Sequence, residues 1–394
     1  MSFNDQYWAL PDGIREALPD EAWRLETLRR ELLDIYATWG YQLVMPPLVE
    51  YMQSLSSGVG SNLDVQTFKV TDQQTGRMMG IRADMTPQIA RIDAHKLTTD
   101  QPNRLCYIGS VLHTRAQCEG GTRSPLQVGA ELFGHAGIDS DLEILSLLLA
   151  TLNHCHTGPL TLDLGHVGIF RELAKQAGFS QEQEQLFSDM LERKALPEIN
   201  HWLASTEMPE VVREMLAQLP LLFGPIAVLE QARQVLSAAP QPVQAALAYL
   251  EQLGQRLQHS FPDCTLHIDL TELSGYHYHT GIVYAVYALD SGDEVARGGR
   301  YDGSGKVFGR SRPATGFSTD LHILSRTAVI APKIQHKILA PPPAADPAPD
   351  QLISELRAQG KCVVRQLGGT PPAPQAEYQQ QIIQDNGQWI VTET

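Results

Sequence analysis

Three short stretches carry residues able to do chemistry on a small polar ligand. In SPLQVGAELFG, Gln127, Gly129 and Glu131 alternate, so on a strand they share one face, and the missing side chain of Gly129 leaves a hollow between an amide and a carboxylate. Such a hollow is a floor for a ligand with hydrogen-bond donors, although spacing alone fits a solvent-facing pair on an ordinary amphipathic strand better. In GYHYHTG, His277 and His279 could be read as metal ligands, but no third ligand lies within reach by sequence, so no metal is expected. In RGGRYDG, Tyr301 sits in a glycine-rich turn of the kind that is usually just a turn.

The elements that must position these residues follow from periodicity. EAWRLETLRRELLDIYATWG repeats Leu25, Leu28, Leu32, Ile35, Tyr36 and Trp39 at helical spacing and ends at Gly40, a helix C-cap. YQLVMPPLVEY is β-prone and stopped by Pro46 and Pro47, which suits a sheet edge. TFKVTD and MMGIRAD around a QTGR turn form a hairpin, and TPQIARIDAHK is helical. Two strand runs, 104–112 and 124–134, flank the loop HTRAQCEGGTR; helices dominate 139–258; β regions return at 264–289 and around RGGRYDG. The tract 330–350, rich in proline and alanine, reads as a linker after a main domain at 1–329 with a helical insertion at about 170–258. Residues 351–394 then form a small C-terminal module with one helix, QLISELRAQG, a KCVVRQL strand and the QWIVTE end. There is no internal repeat. The order of pieces points to an α+β fold on an antiparallel sheet.

Composition narrows the function. The 43% hydrophobic content suits a packed core, and the absence of a long apolar run or a leader-like N-terminus predicts a soluble, cytoplasmic protein with no membrane partner. Five scattered cysteines, Cys106, Cys118, Cys155, Cys264 and Cys362, indicate free thiols. A net charge of −15 weighs weakly against nucleic acid.

Four segments, in order and with comparable spacing, resemble histidyl-tRNA synthetase: IRADMTPQIAR, RLCYIGSVLHTRAQCEGGTRSPLQVGAELFG, LSGYHYHTGIVYAVY and ARGGRYDGSGKVFGRSRPATGFSTDL. The resemblance implies the class II aminoacyl-tRNA synthetase fold, an antiparallel sheet flanked by helices and normally dimeric. It also implies a histidine pocket of Asp84, Thr86, Gln127, Glu131, Tyr278, His279 and Tyr301, with Asp84 and His279 replacing the family's glutamate and tyrosine. The residues that serve ATP in the family are lost. His113 stands for the arginine of the second class II motif and Arg115 for its glutamate, while Gly121, Ser274 and Ile323 stand for three further arginines. Adenylation needs fixed cationic forks on the phosphate, and loss of one such donor costs roughly 10²- to 10³-fold in rate. Arg123 and Arg312 are the nearby cations that could compensate. Residues 351–394 are also too few for the family's anticodon-binding domain, so no tRNA is expected.

The chain therefore resembles the catalytically silent paralogues of histidyl-tRNA synthetase that serve ATP phosphoribosyltransferase as regulatory subunits. That resemblance implies no catalytic residues and no cofactor, L-histidine as allosteric ligand, and a short-form catalytic subunit as partner in a hetero-octamer. The alternatives are a divergent synthetase and a histidine sensor for another partner. The sequence does not reveal which surface docks a partner.

Overall fold

The computed structural model describes the chain apart from residues 1–7, 56–60, 117–120, 277, 291, 331–335, 344–347, 368–376 and 394; Cys118 and His277 therefore lie outside the described residues. The chain divides into two compact units, residues 1–330 and 331–394.

A nine-stranded sheet organises the first unit. Its spatial order is Gln42–Leu43, Asn103–Ser110, Leu126–Phe133, Ala314–Asp320, Glu294–Arg300, Ile282–Ala288, Leu160–His166, Thr265–Asp269 and Phe223–Gly224. Six consecutive strands, from Asn103–Ser110 to Leu160–His166, are antiparallel. Among the described residues of this sheet, parallel pairs appear toward the edges, where Gln42–Leu43 meets Leu105–Cys106 and Leu160–His166 meets Thr265–Asp269. A parallel pair cannot be joined by a tight turn and needs a crossover. Here the chain between the two strands is helical over most of Val167 to Ser260, interrupted by Phe223–Gly224.

Helix Pro19–Thr38 buries Leu25, Leu28, Leu32 and Tyr36 in the main core, and Gly40 takes the left-handed conformation (φ 82°) that favours glycine just past a helix. The run YQLVMPPLVEY splits in two. Gln42–Leu43 joins the large sheet, whereas Val49–Tyr51 enters a separate three-stranded sheet with Met78–Ile81 and Phe68–Thr71, because Pro46 and Pro47 interrupt the ladder. The hairpin forms with Phe68 opposite Ile81, and Thr86–His95 is the expected helix. Leu160–His166 is a strand within the span that periodicity assigns to helices; Leu160, Leu162 and Leu164 alternate toward the core.

The second unit is a four-stranded sheet, in the order Cys362–Arg365, Lys337–Ala340, Gln380–Asp385 and Gln388–Glu393, covered by helix Ala348–Ala358. The tract 330–350, which composition reads as a linker, is corrected here. It contains the strand Lys337–Ala340 and the start of the helix, because Ile338 and Ala340 alternate into a core with Ile353, Leu356, Val363 and Ile382. Among the described residues no helix is long and apolar enough to cross a membrane. Cys106, Cys155, Cys264 and Cys362 are free thiols.

Candidate functional site

Strand register assembles the site. Glu131 pairs with Gly316, which pairs with Gly299; one row away, Gly129 pairs with Ser318, which pairs with Arg297. These residues share one face of three adjacent strands. The floor is low because its glycines admit close neighbours. A β-carbon on Gly316 would overlap the Glu131 carboxylate, and one on Gly299 would lie 2.7–2.8 Å from the His279 ring. The hollow expected above Gly129 is not open. Tyr107 pairs directly across from Gly129, and its hydroxyl fills that space. The cavity lies over Gly316 and Gly299 instead, with a volume of about 140 Å³, and is lined among others by Asp84, Thr86, Glu131, Ser274, Tyr278, His279, Arg297 and Tyr301.

Glu131 is the most deeply buried acid on the cavity wall, 1% exposed. It accepts hydrogen bonds from the Tyr301 hydroxyl, from the Tyr107 hydroxyl at 3.0 Å and from Thr86 Oγ1 at 3.0 Å. Those donors favour the ionised form, but burial outweighs them and pushes the carboxyl up to about 8. Asp84 Oδ1 accepts from Gln127 Nε2 at 2.8 Å and from the Thr86 backbone N–H at 3.0 Å, and Gln127 Oε1 accepts from the Met85 N–H at 2.9 Å. Gln127 is not on the cavity wall; it aims Asp84 at the cavity.

Tyr278 stacks on Tyr301, and its buried hydroxyl has no hydrogen-bond partner among the described residues. Buried hydroxyls are ordinarily satisfied, so this one has hydrogen-bonding capacity left over beside the cavity. The Nδ1 of His279 lies 2.9 Å from the Ser274 carbonyl. Burial lowers the His279 pKa to about 4, so the ring is neutral. Nδ1–H must donate to that carbonyl, which leaves Nε2 as an acceptor. Arg171 fastens this loop by donating to the carbonyls of Tyr276 and His279, each at 3.0 Å.

The positions matching the lost ATP residues are not arranged around the cavity. His113 is buried, with Nε2 2.8 Å from the Ala83 carbonyl. Arg115 is exposed, Gly121 offers no side chain, and Ile323 packs against the main hydrophobic core. Only Ser274 lines the cavity. Arg123 donates to the carbonyls of His113 and Asp12, and Arg312 forms a buried ion pair with Asp93 at 2.9 Å. Neither is on the cavity wall. Sequence reasoning missed Tyr107 and Arg297. Arg297 alternates with Gly299 and Tyr301, a signal visible in RGGRY; Tyr107 depends on register, which spacing within one strand does not reveal.

Residues 13–324 match the histidyl-tRNA synthetase family model, and residues 335–392 match a model described as the C-terminal domain of ATP phosphoribosyltransferase subunit HisZ. The ATP phosphoribosyltransferase regulatory subunit of Thioalkalivibrio sulfidiphilus is 53% identical over 362 residues, covering 92% of each chain. The chain belongs to the ATP phosphoribosyltransferase regulatory subunit family. Its fold matches a structure from Bacillus halodurans described as an ATP phosphoribosyltransferase regulatory subunit/histidyl-tRNA synthetase, with a TM-score of 0.81 and 26% identity over 94% of this chain and 97% of that one. A chain of the HisG:HisZ ATP phosphoribosyltransferase complex of Thermotoga maritima shares the fold at a TM-score of 0.58 and 18% identity, covering 75% of this chain and 96% of that one. The class II synthetase-like α+β fold expected from the motifs is the fold of this family member.

Proposed function

We propose that this chain is the non-catalytic regulatory subunit of an ATP phosphoribosyltransferase, the enzyme that joins ATP and phosphoribosyl pyrophosphate in the first step of histidine biosynthesis, and that its cavity senses L-histidine. The observation that carries the reading is the pairing of a built polar pocket with an absent phosphate clamp. Glu131 lies at the bottom with Thr86 and Tyr301 around it, the Tyr278 hydroxyl is unsatisfied, and Asp84 is aimed inward by Gln127. An imidazole needs a partner for each ring nitrogen and an ammonium needs an acceptor; Glu131, Tyr278 and Asp84 supply these. The several cationic forks that would stabilise phosphoryl transfer are missing from the cavity wall, where Arg297 is the one arginine among the described residues.

The partner is a short-form catalytic subunit, which the family name and the HisG:HisZ relative support. The assembly is a cytoplasmic hetero-octamer of four regulatory and four catalytic chains in which the regulatory chains dimerise. Histidine inhibits by binding the low-activity arrangement more tightly than the active one, since a ligand shifts an equilibrium only through differential affinity. The test is reconstitution. The short catalytic subunit gains phosphoribosyl-ATP synthesis when this chain is added, and histidine reverses the gain.

A further inference from the structure

The cavity wall carries one arginine that the lost ATP chemistry leaves without a task. A one-residue bulge decides what its guanidinium meets. Tyr287 pairs with Glu294 and Val286 with Ala296, leaving Val295 unmatched. Glu294 and Arg297 would face opposite sides of a regular strand, and the bulge brings them to one side. Glu294 accepts from Arg297 Nε at 2.5 Å and from Nη2 at 2.8 Å. A guanidinium has five N–H donors in a fixed fork. The Glu294 contacts use the Nε edge and leave both Nη1 donors and the second Nη2 donor. That remaining edge is the geometry that grips a carboxylate with two parallel bonds.

Depth gives the cavity a polarity. Arg297 is half exposed, with 52% of its side chain in solvent, whereas Glu131 is 1% exposed. The acid therefore lies at the bottom and the cation at the mouth. Ser274, on the same wall, supplies no charge.

We propose that Arg297 binds the α-carboxylate of the amino acid held in this cavity, with Glu294 fixing the guanidinium by its Nε edge. The proposal rests on the reading of the cavity as a histidine site and gives that site its selectivity. A zwitterion is held at both ends, and an imidazole ligand lacking the carboxylate is held at one.

The experiment is calorimetric titration of L-histidine and L-histidinamide, which replaces the carboxylate by a neutral amide of the same shape, into the full-length parent, Arg297→Gln and Arg297→Lys. The parent binds histidine about tenfold to a hundredfold more tightly than histidinamide, the range of a charge-assisted paired bond. Arg297→Gln brings the two affinities within about twofold by weakening histidine alone, and retained histidinamide binding reports an intact pocket. Arg297→Lys, which keeps the charge without the fork, gives an intermediate ratio. A parent-like ratio in Arg297→Gln overturns the proposal, as does a parent that binds both ligands equally, which leaves the histidine site standing. A parent that binds neither overturns the site reading and the proposal with it.

Discussion

Tyr278 lies nearly flat on Tyr301, with ring centroids 4.9 Å apart and planes 20° apart, yet only one of the two hydroxyls is satisfied. Tyr301 donates to Glu131, while the Tyr278 hydroxyl is buried without a partner among the described residues. Stacking fixes both rings, so the unsatisfied hydroxyl is held in place before any ligand arrives.

Tyr278→Phe keeps the stack and removes that hydroxyl. Histidine affinity falls by about fivefold to thirtyfold, the worth of one hydrogen bond of about 1–2 kcal/mol. Stability without ligand stays level or rises, because a buried orphan group has gone. Calorimetry and thermal melts of the same preparation check both; loss of stability with unchanged affinity would assign the hydroxyl a structural role.

Glu131 makes stability depend on pH. Its folded pKa of about 8 lies above the ordinary value of 4.5. The folded protein therefore holds a proton that the unfolded chain releases. The resulting stability is complete below about 4.5 and is lost as pH rises toward about 8, at about 1.4 kcal/mol per pH unit inside the window. Glu131→Gln has no proton to lose. Its melting temperature, compared with the parent's, improves steadily from pH 4.5 to 8, and a pH-independent difference would show that the parent carboxyl is already ionised.

The buried ion pair between Arg300 and Asp141, 2.8 Å apart, anchors the residue next to Tyr301 to helix Ile138–His154. Removing Asp141 leaves the buried Arg300 guanidinium with the partly exposed Asp302, 3.1 Å away, as its remaining carboxylate partner. Asp141→Ala costs up to about 3–5 kcal/mol of stability by denaturant unfolding, whereas a double replacement with apolar residues of similar volume recovers most of it. Equal losses in the single and double variants would contradict that account.

The histidine-dependent exchange of pyrophosphate with ATP stays at background for the purified chain. His113→Arg does not restore it, because the ring it replaces is turned onto the Ala83 carbonyl and the other cations are still missing. Exchange at synthetase-like rates in the parent would show that Arg297 or another cation serves the phosphate.

How much of this was legible in the sequence varied by element, for physical reasons. Helix Pro19–Thr38 announced itself because its apolar residues repeat at 3.6 and a glycine ends it. Motif resemblance singled out Asp84, Thr86, Glu131 and Tyr301, which the fold brings together around one cavity. In the sequence Gly129 reads as a hollow because strand periodicity says which residues share a face and nothing about the neighbour opposite; Tyr107 arrives from 22 residues earlier by register alone. The bulge at Val295 is invisible in composition, so nothing in the sequence places Glu294 and Arg297 on one side of the strand. Lys337–Ala340 was hidden by the prolines beside it, although Ile338 and Ala340 alternate as a strand should.

Histidine sensing by this chain is measured by a histidine titration of phosphoribosyl-ATP synthesis by the short catalytic subunit with this chain, for the parent and for Asp84→Ala, each against its own uninhibited rate. Synthesis is expected to depend on adding this chain and to be suppressed by histidine, and Asp84→Ala is expected to raise the half-inhibiting concentration about tenfold or more, as loss of a charge-assisted bond to the ammonium requires. Synthesis indifferent to this chain, or inhibition unchanged in Asp84→Ala, would contradict that expectation.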